Sequence, residues 1–205
     1  MFPADRKTLA VPRYIDGNAS TSSRSNVSRP LHVFVDWSNI YISFKSITDL
    51  KRPPDISALD LVLLRGREFT SKTLASSDLP SEFQAKLKDL RYKVYSVSRQ
   101  LHSDNINSTA KLKEHGVDEI LSQRVTEAVK NHQQGVIVLA TGDGSMSSLN
   151  REVGFIASIE TALTRGWIVE LYSFYESLSS NYQHLQQQYP RRMFIFILDN
   201  VLGDL

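Results

Sequence analysis

"LHVFVDWSNIY" (residues 31–41) begins as a strand and stops at an acid. Val33, Phe34 and Val35 are the β-branched and aromatic residues that a buried strand favours, and they run directly into Asp36, Ser38 and Asn39. About a hundred residues later "GVIVLATGDGS" (135–145) repeats the shape, with Val136 to Ala140 leading into Thr141, Gly142 and Asp143. Ligands of open α/β sheets bind outside the carboxyl ends of the strands, where the strand order reverses. Asp36 and Asp143 both belong to that edge. If their strands are neighbours, the two carboxylates converge within reach of one cation.

Outward from these two stretches the chain alternates short β-type runs with longer helical ones, the pattern of a parallel sheet covered by helices on both faces. Strands are predicted at 31–36, 69–75, 93–98, 136–140, 168–173 and 193–198, and helices near 38–48, 56–66, 80–90, 117–131, 149–165 and 178–188. Pro53-Pro54 separates the first two helices, and Gly166 ends the fifth before its strand. The expected fold is therefore α/β, a three-layer α/β/α sandwich around a mainly parallel sheet. Residues 100–116, "QLHSDNINSTAKLKEHG", form one long polar connection, a length that in compact domains tends to serve function or motion.

The 205 residues suffice for one sizeable core, and at 41% hydrophobic and 22% charged the composition is that of a soluble globular protein. No apolar run approaches the roughly 20 residues of a membrane span. With no cysteine, disulfides and thiolate metal sites are excluded, so any metal must sit on oxygen or imidazole. The net charge of +2 is unevenly spread: residues 1–29 hold five basic residues (Arg6, Lys7, Arg13, Arg24, Arg29) against two acidic ones (Asp5, Asp16). That stretch is Ser-, Asn- and Pro-rich and lacks periodicity, so 1–29 reads as a flexible basic tail and 30–205 as the folded domain. The tail has neither the apolar stretch of a signal peptide nor the pattern of a transit helix, which makes the cytoplasm the expected compartment.

A third acid comes from "HGVDEILSQRVTEAVKNH" (115–132). At about 100° per residue, Val117, Leu121, Val125, Ala128 and Val129 form one stripe, and Asp118 falls within it. Glu119 falls about 100° away on the other side and should meet water. An acid turned toward the sheet needs a partner, because an unpaired buried charge is costly. A metal would serve. Each acid alone has a plainer role, as a helix cap for Asp36 or a complement to the helix dipole for Asp118; their conjunction at one edge is what points to a site.

Other chemistries fit less well. "TGDGSMS" (141–147) offers Gly142 and Gly144 but Ser147 where a dinucleotide fingerprint has its third glycine, and an acid lies between the glycines. A Walker loop is absent. The five histidines show no ligand spacing, and Ser38 has no evident triad partners.

"VFVDWSNI" (33–40), "GVDEIL" (116–121), "VIVLATGDGS" (136–145) and "ALTRGWIVELYSF" (162–174), in that order, resemble the NYN domain, a branch of the PIN-like nuclease superfamily. The likeness covers roughly 31–190. It implies a PIN-like α/β/α fold and a Mg²⁺- or Mn²⁺-dependent endoribonuclease, with catalytic roles on Asp36, Asn39, Asp118 and Asp143. Of these Asp36, Asp118 and Asp143 would bind the metal, since hard divalent cations take carboxylate oxygens. Asn39 would position a water or a ligand carboxylate, with Thr141 or Ser38 supporting that shell.

The sequence departs from the family at Ser145, where many relatives carry a further acid, and Glu119 or Glu152 are the acids nearest to replacing it. RNA, single-stranded by expectation, would meet Ser38, Thr141 and Ser145 at the edge and the basic Lys111, Lys113 and Arg151 beside it. Two functions stay open: a metal-dependent ribonuclease, or a catalytically weak or inactive PIN-like module that binds RNA or serves as a scaffold, as a homodimer or in a larger assembly.

Overall fold

The apolar runs become parallel strands because each is followed by a helix long enough to return the chain to the same end of the sheet. The computed structural model describes residues 29–48, 52–77, 79–97, 100–102, 111–113, 116–144 and 155–205. Apart from Arg29, the expected tail lies outside them. Six strands, β1 (Leu31–Asp36), β2 (Ser71–Ser77), β3 (Lys93–Val97), β6 (Val136–Ala140), β7 (Ile168–Ser173) and β8 (Met193–Ile197), form one all-parallel sheet in the order β3-β2-β1-β6-β7-β8. The chain runs outward from β1 to β3, returns to β6, and runs outward again. The order therefore reverses between β1 and β6, which pair directly with Val35 beside Ala140.

Side-chain alternation along the strands sets the layers. Leu31, Val33 and Val35 of β1 and Val136, Val138 and Ala140 of β6 face one core, closed by α1 (Trp37–Ile47), α2 (Ile56–Leu64) and α3 (Ser81–Asp89). Phe34, Ile137 and Leu139 face the other, closed by α4 (Val117–Asn131), α5 (Phe155–Thr164) and α6 (Ser180–Gln188). This is a three-layer α/β/α sandwich. Among the described residues no helix is long and apolar enough to cross a membrane.

The stretch expected as one long connection instead carries a short antiparallel pair, β4 (Gln100–His102) and β5 (Lys111–Lys113). Three residues on each side, mostly polar, are too short for strand periodicity to be read. The start of the fifth expected helix, 149–154, lies outside the described residues.

The amino half of the first core is not wholly apolar. Lys72 donates to both carboxylate oxygens of Asp60 at 3.0 and 2.9 Å, and the Tyr92 hydroxyl adds a 2.7 Å bond to the same carboxylate. Arg67 forks onto the fully buried Glu170 at 2.8 and 2.7 Å. Both pairs tie α2 and the loop after it to the sheet.

On the other face His32 is 1% exposed, takes part in a 2.8 Å hydrogen bond with Ser71 through Nδ1, and packs against the rings of His132 and Trp167. Its Nε2 has no hydrogen-bond partner among the described residues. Burial, and then the neighbouring His132, pull its pKa from 6.5 to about 4. The unfolded chain thus holds the proton more tightly, so this contribution to stability is complete above pH 6.5 and lost as pH falls through 4. Between pH 7 and pH 5 the wild type should lose roughly 2 kcal/mol from this group. Urea unfolding at the two pH values checks it: His32→Leu should show a smaller loss than the wild type, and equal losses would contradict the assignment.

Candidate active site

The site is built where the sheet order reverses. β1 ends in Asp36, which is 4% exposed and caps α1 by accepting the Asn39 backbone N–H at 3.0 Å. The plain capping role expected of a strand-end acid is thus present. Its other carboxylate oxygen accepts the Thr141 hydroxyl at 3.2 Å, from the end of the neighbouring strand. The same hydroxyl accepts the Asp143 backbone N–H at 3.1 Å, and the Asn39 side-chain oxygen accepts the Gly142 N–H at 2.7 Å. Four short bonds therefore fix the start of α1, the end of β6 and the turn that carries Asp143 as one unit.

From the other side α6 and the residue before it grip the same turn. The carbonyls of Gly142, Asp143 and Gly144 accept, respectively, from the Ser179 backbone N–H (3.0 Å), the Tyr182 hydroxyl (2.9 Å) and the Asn181 side-chain amide (2.9 Å). This close approach explains both glycines. A Cβ on Gly142 would overlap the hydroxyl and carbonyl oxygens of Ser177, and one on Gly144 would come within 2.7 Å of the Ser179 side chain. Gly142→Ala should then cost about 1–3 kcal/mol, because backbone must move to admit the methyl. Gly203→Ala, with nothing within 4 Å, is the control for chemical denaturation and should be near neutral. Equal stability of the two variants would mean that the turn is not gripped in this way.

Tyr182 reports where the acids stand. It is fully buried, and its phenol is held well above its ordinary pKa range by burial, then by the negative charges of Asp118, Asp143 and Asp36. Acids from three separate elements, the end of β1, the turn after β6 and the first turn of α4, thus act on one hydroxyl. The helical phase holds as well: Asp118 is half-buried and Glu119 is exposed. Asp143 is half-buried.

The remaining expected residues separate. Thr141 does support Asp36. Asn39 applies its side-chain oxygen to the Gly142 turn. Ser38 is buried against β2, accepting the Ser77 N–H at 3.1 Å and lying 3.1 Å from the Ser76 hydroxyl. Lys111 and Lys113 lie on β5, and their side chains are outside the described residues, as are Ser145, Arg151 and Glu152 entirely. Sequence reading missed Ser179, Asn181 and Tyr182. Ser179 carries the one available signal, a helix-capping serine that accepts the Asn181 N–H at 3.3 Å.

The fold has a solved counterpart. A crystal structure of a protein of unknown function from Vibrio parahaemolyticus matches with a TM-score of 0.58 at 15% identity, over 86% of this chain and 96% of that one. At that identity the likeness carries the fold alone. No family model matches the chain, and no curated protein matches it.

The carboxylate and hydroxyl oxygens at this edge, without sulfur, are of the kind a hard divalent ion takes. As placed, no group of three or more His, Asp or Glu side chains among the described residues is close enough to hold a metal. The acids are thus brought to one region without forming a closed coordination shell.

Proposed function

We propose that the chain is a metal-dependent ribonuclease of the NYN, PIN-like kind, acting in the cytoplasm and hydrolysing RNA phosphodiester bonds at the β1/β6 edge. The observation that supports this reading is the place of Asp36 and Asp143 at the ends of the neighbouring strands β1 and β6, where the sheet order reverses, with Thr141 bonded to both residues. Asp36, Asp118 and Asp143 are the residues that would hold Mg²⁺ or Mn²⁺. Such an ion, when bound, lowers the pKa of a water and offsets the charge of the scissile phosphate. Around it the chain supplies fixed groups: Thr141 orients the Asp36 carboxylate, Asn39 holds the Gly142 backbone, and Tyr182 stays protonated and anchors the Asp143 turn.

A second reading, a weak or inactive RNA-binding or scaffold module, is favoured by the open spacing of the acids and by serine at position 145. Incubating labelled RNA and single-stranded DNA with the protein in Mn²⁺, Mg²⁺ or EDTA separates the two. The ribonuclease reading expects RNA cleavage with either ion and none in EDTA; an intact substrate in every condition would favour the module.

A further inference from the structure

A cavity of about 200 Å³ lies toward the amino end of the sheet, between α4 and the strands β1, β2 and β3. Its walls include His32, Ser71, Thr73, Lys93, Arg124 and His132. Strand register gathers the first four, since His32 stands beside Ser71 and Thr73 beside Lys93. Two polar atoms in these walls are left over. His32 Nε2 and Arg124 Nε are buried without a hydrogen-bond partner among the described residues, whereas most buried polar groups have one. Arg124 Nε always carries a proton, and His32 Nε2 carries one when the Ser71 hydroxyl donates to Nδ1.

The charge of the walls says what could complete them. Lys93 and Arg124 both lie over the ring of Tyr95, 5.5 and 5.2 Å from its centre, so two cations share one aromatic. The carboxylate of the cavity, Glu127, is already engaged by Arg124 Nη1 at 2.6 Å and by the Gln123 side-chain amide at 3.0 Å. Donors and positive charge therefore exceed acceptors. The adjacent imidazoles of His32 and His132 would suit a transition metal, but the two cations oppose one. The volume is below the roughly 300–1,000 Å³ of sites for drug-sized ligands, which favours a small anion. We propose that this cavity binds the phosphate group of a small molecule, either free phosphate or a phosphomonoester, with Arg124, Lys93 and His32 as donors. It lies away from the β1/β6 edge and does not depend on the ribonuclease reading.

Isothermal titration calorimetry of the full-length chain with inorganic phosphate and with methyl phosphate, at an ionic strength held constant with chloride, tests the site. Arg124→Gln and Lys93→Gln should each weaken binding roughly tenfold, as expected for a lost hydrogen bond to a charged group. Lys88→Gln removes an exposed charge on α3, across the sheet, and should stay within about twofold. In imidazole NMR spectra, the signals of His32 and His132 should shift on saturation while those of the other three histidines stay in place. Tighter binding of methyl phosphate supports the site with a phosphomonoester as its ligand, and equal or weaker binding supports it with free phosphate. No binding of either anion overturns the proposal. So does an equal loss in all three variants, or binding that leaves the His32 signal unmoved.

Discussion

Asp143→Asn should abolish metal-dependent RNA cleavage and leave the metal-free protein at least as stable as the wild type. The backbone of Asp143 is held on both sides, its N–H by Thr141 and its carbonyl by Tyr182, so a change confined to the carboxylate leaves the turn in place. It removes a negative charge that helps to raise the pKa of the buried Tyr182 phenol, and puts no new charge or bulk in its place. On the ribonuclease reading the Asp143 carboxylate is also one of the groups that would hold a divalent ion, so the variant would weaken the binding of that ion. An ion that binds only the folded state raises the melting temperature, so Mn²⁺ should stabilise the wild type and stabilise Asp143→Asn far less. The module reading expects no cleavage to lose. If Asp143 were only a turn residue, its asparagine variant would change neither melting temperature nor cleavage, since asparagine suits turns equally. No Mn²⁺ shift in the wild type, with no cleavage of any RNA, would sink the ribonuclease reading.

Much of the fold was legible because its strands are blocks of Val, Ile, Leu and Phe bounded by polar residues. β1, β6 and β7 lie at their expected limits for that reason. β2 is displaced toward its carboxyl end, 71–77 instead of 69–75, and the cause is particular: Ser76 and Ser77 do not look like buried strand residues, yet α1 supplies Ser38 as a partner for the Ser77 N–H and the Ser76 hydroxyl. Lys72 hides in the same strand because Asp60, on another element, neutralises it. The acids of the site could be read because strand ends and helical phase are local properties. Tyr182 could not, for along α6 it shares the buried stripe with Leu185 and is indistinguishable from a core aromatic. Its meaning comes from a hydroxyl bond to a carbonyl 39 positions away.

The buried acid at the opposite end of the sheet should behave in the contrary way. Asp60 neutralises Lys72, and their side chains are 8% and 2% exposed, so the two charges have exchanged water for each other. Asp60→Asn removes the countercharge and leaves an ammonium among Phe69, Tyr92 and the core, with the Tyr92 hydroxyl bond weakened as well. Breaking a buried pair from one side costs about 3–5 kcal/mol. In a chain of this length that is a fall in melting temperature of roughly 10 °C. Asp60→Asn combined with Lys72→Met should recover much of the loss, because an apolar side chain of similar length needs no countercharge. Neither variant touches the β1/β6 edge, so at temperatures where both are folded the Mn²⁺ shift and any RNA cleavage should match the wild type. A loss below about 1 kcal/mol in Asp60→Asn would mean that water reaches Lys72 and that the pair is not sealed in the core. Two buried or half-buried aspartates at opposite ends of one sheet, Asp60 in α2 and Asp143 in the turn after β6, thus separate by experiment: removing the charge at the amino end should cost stability and leave the edge chemistry unchanged, whereas removing it at Asp143 should do the reverse.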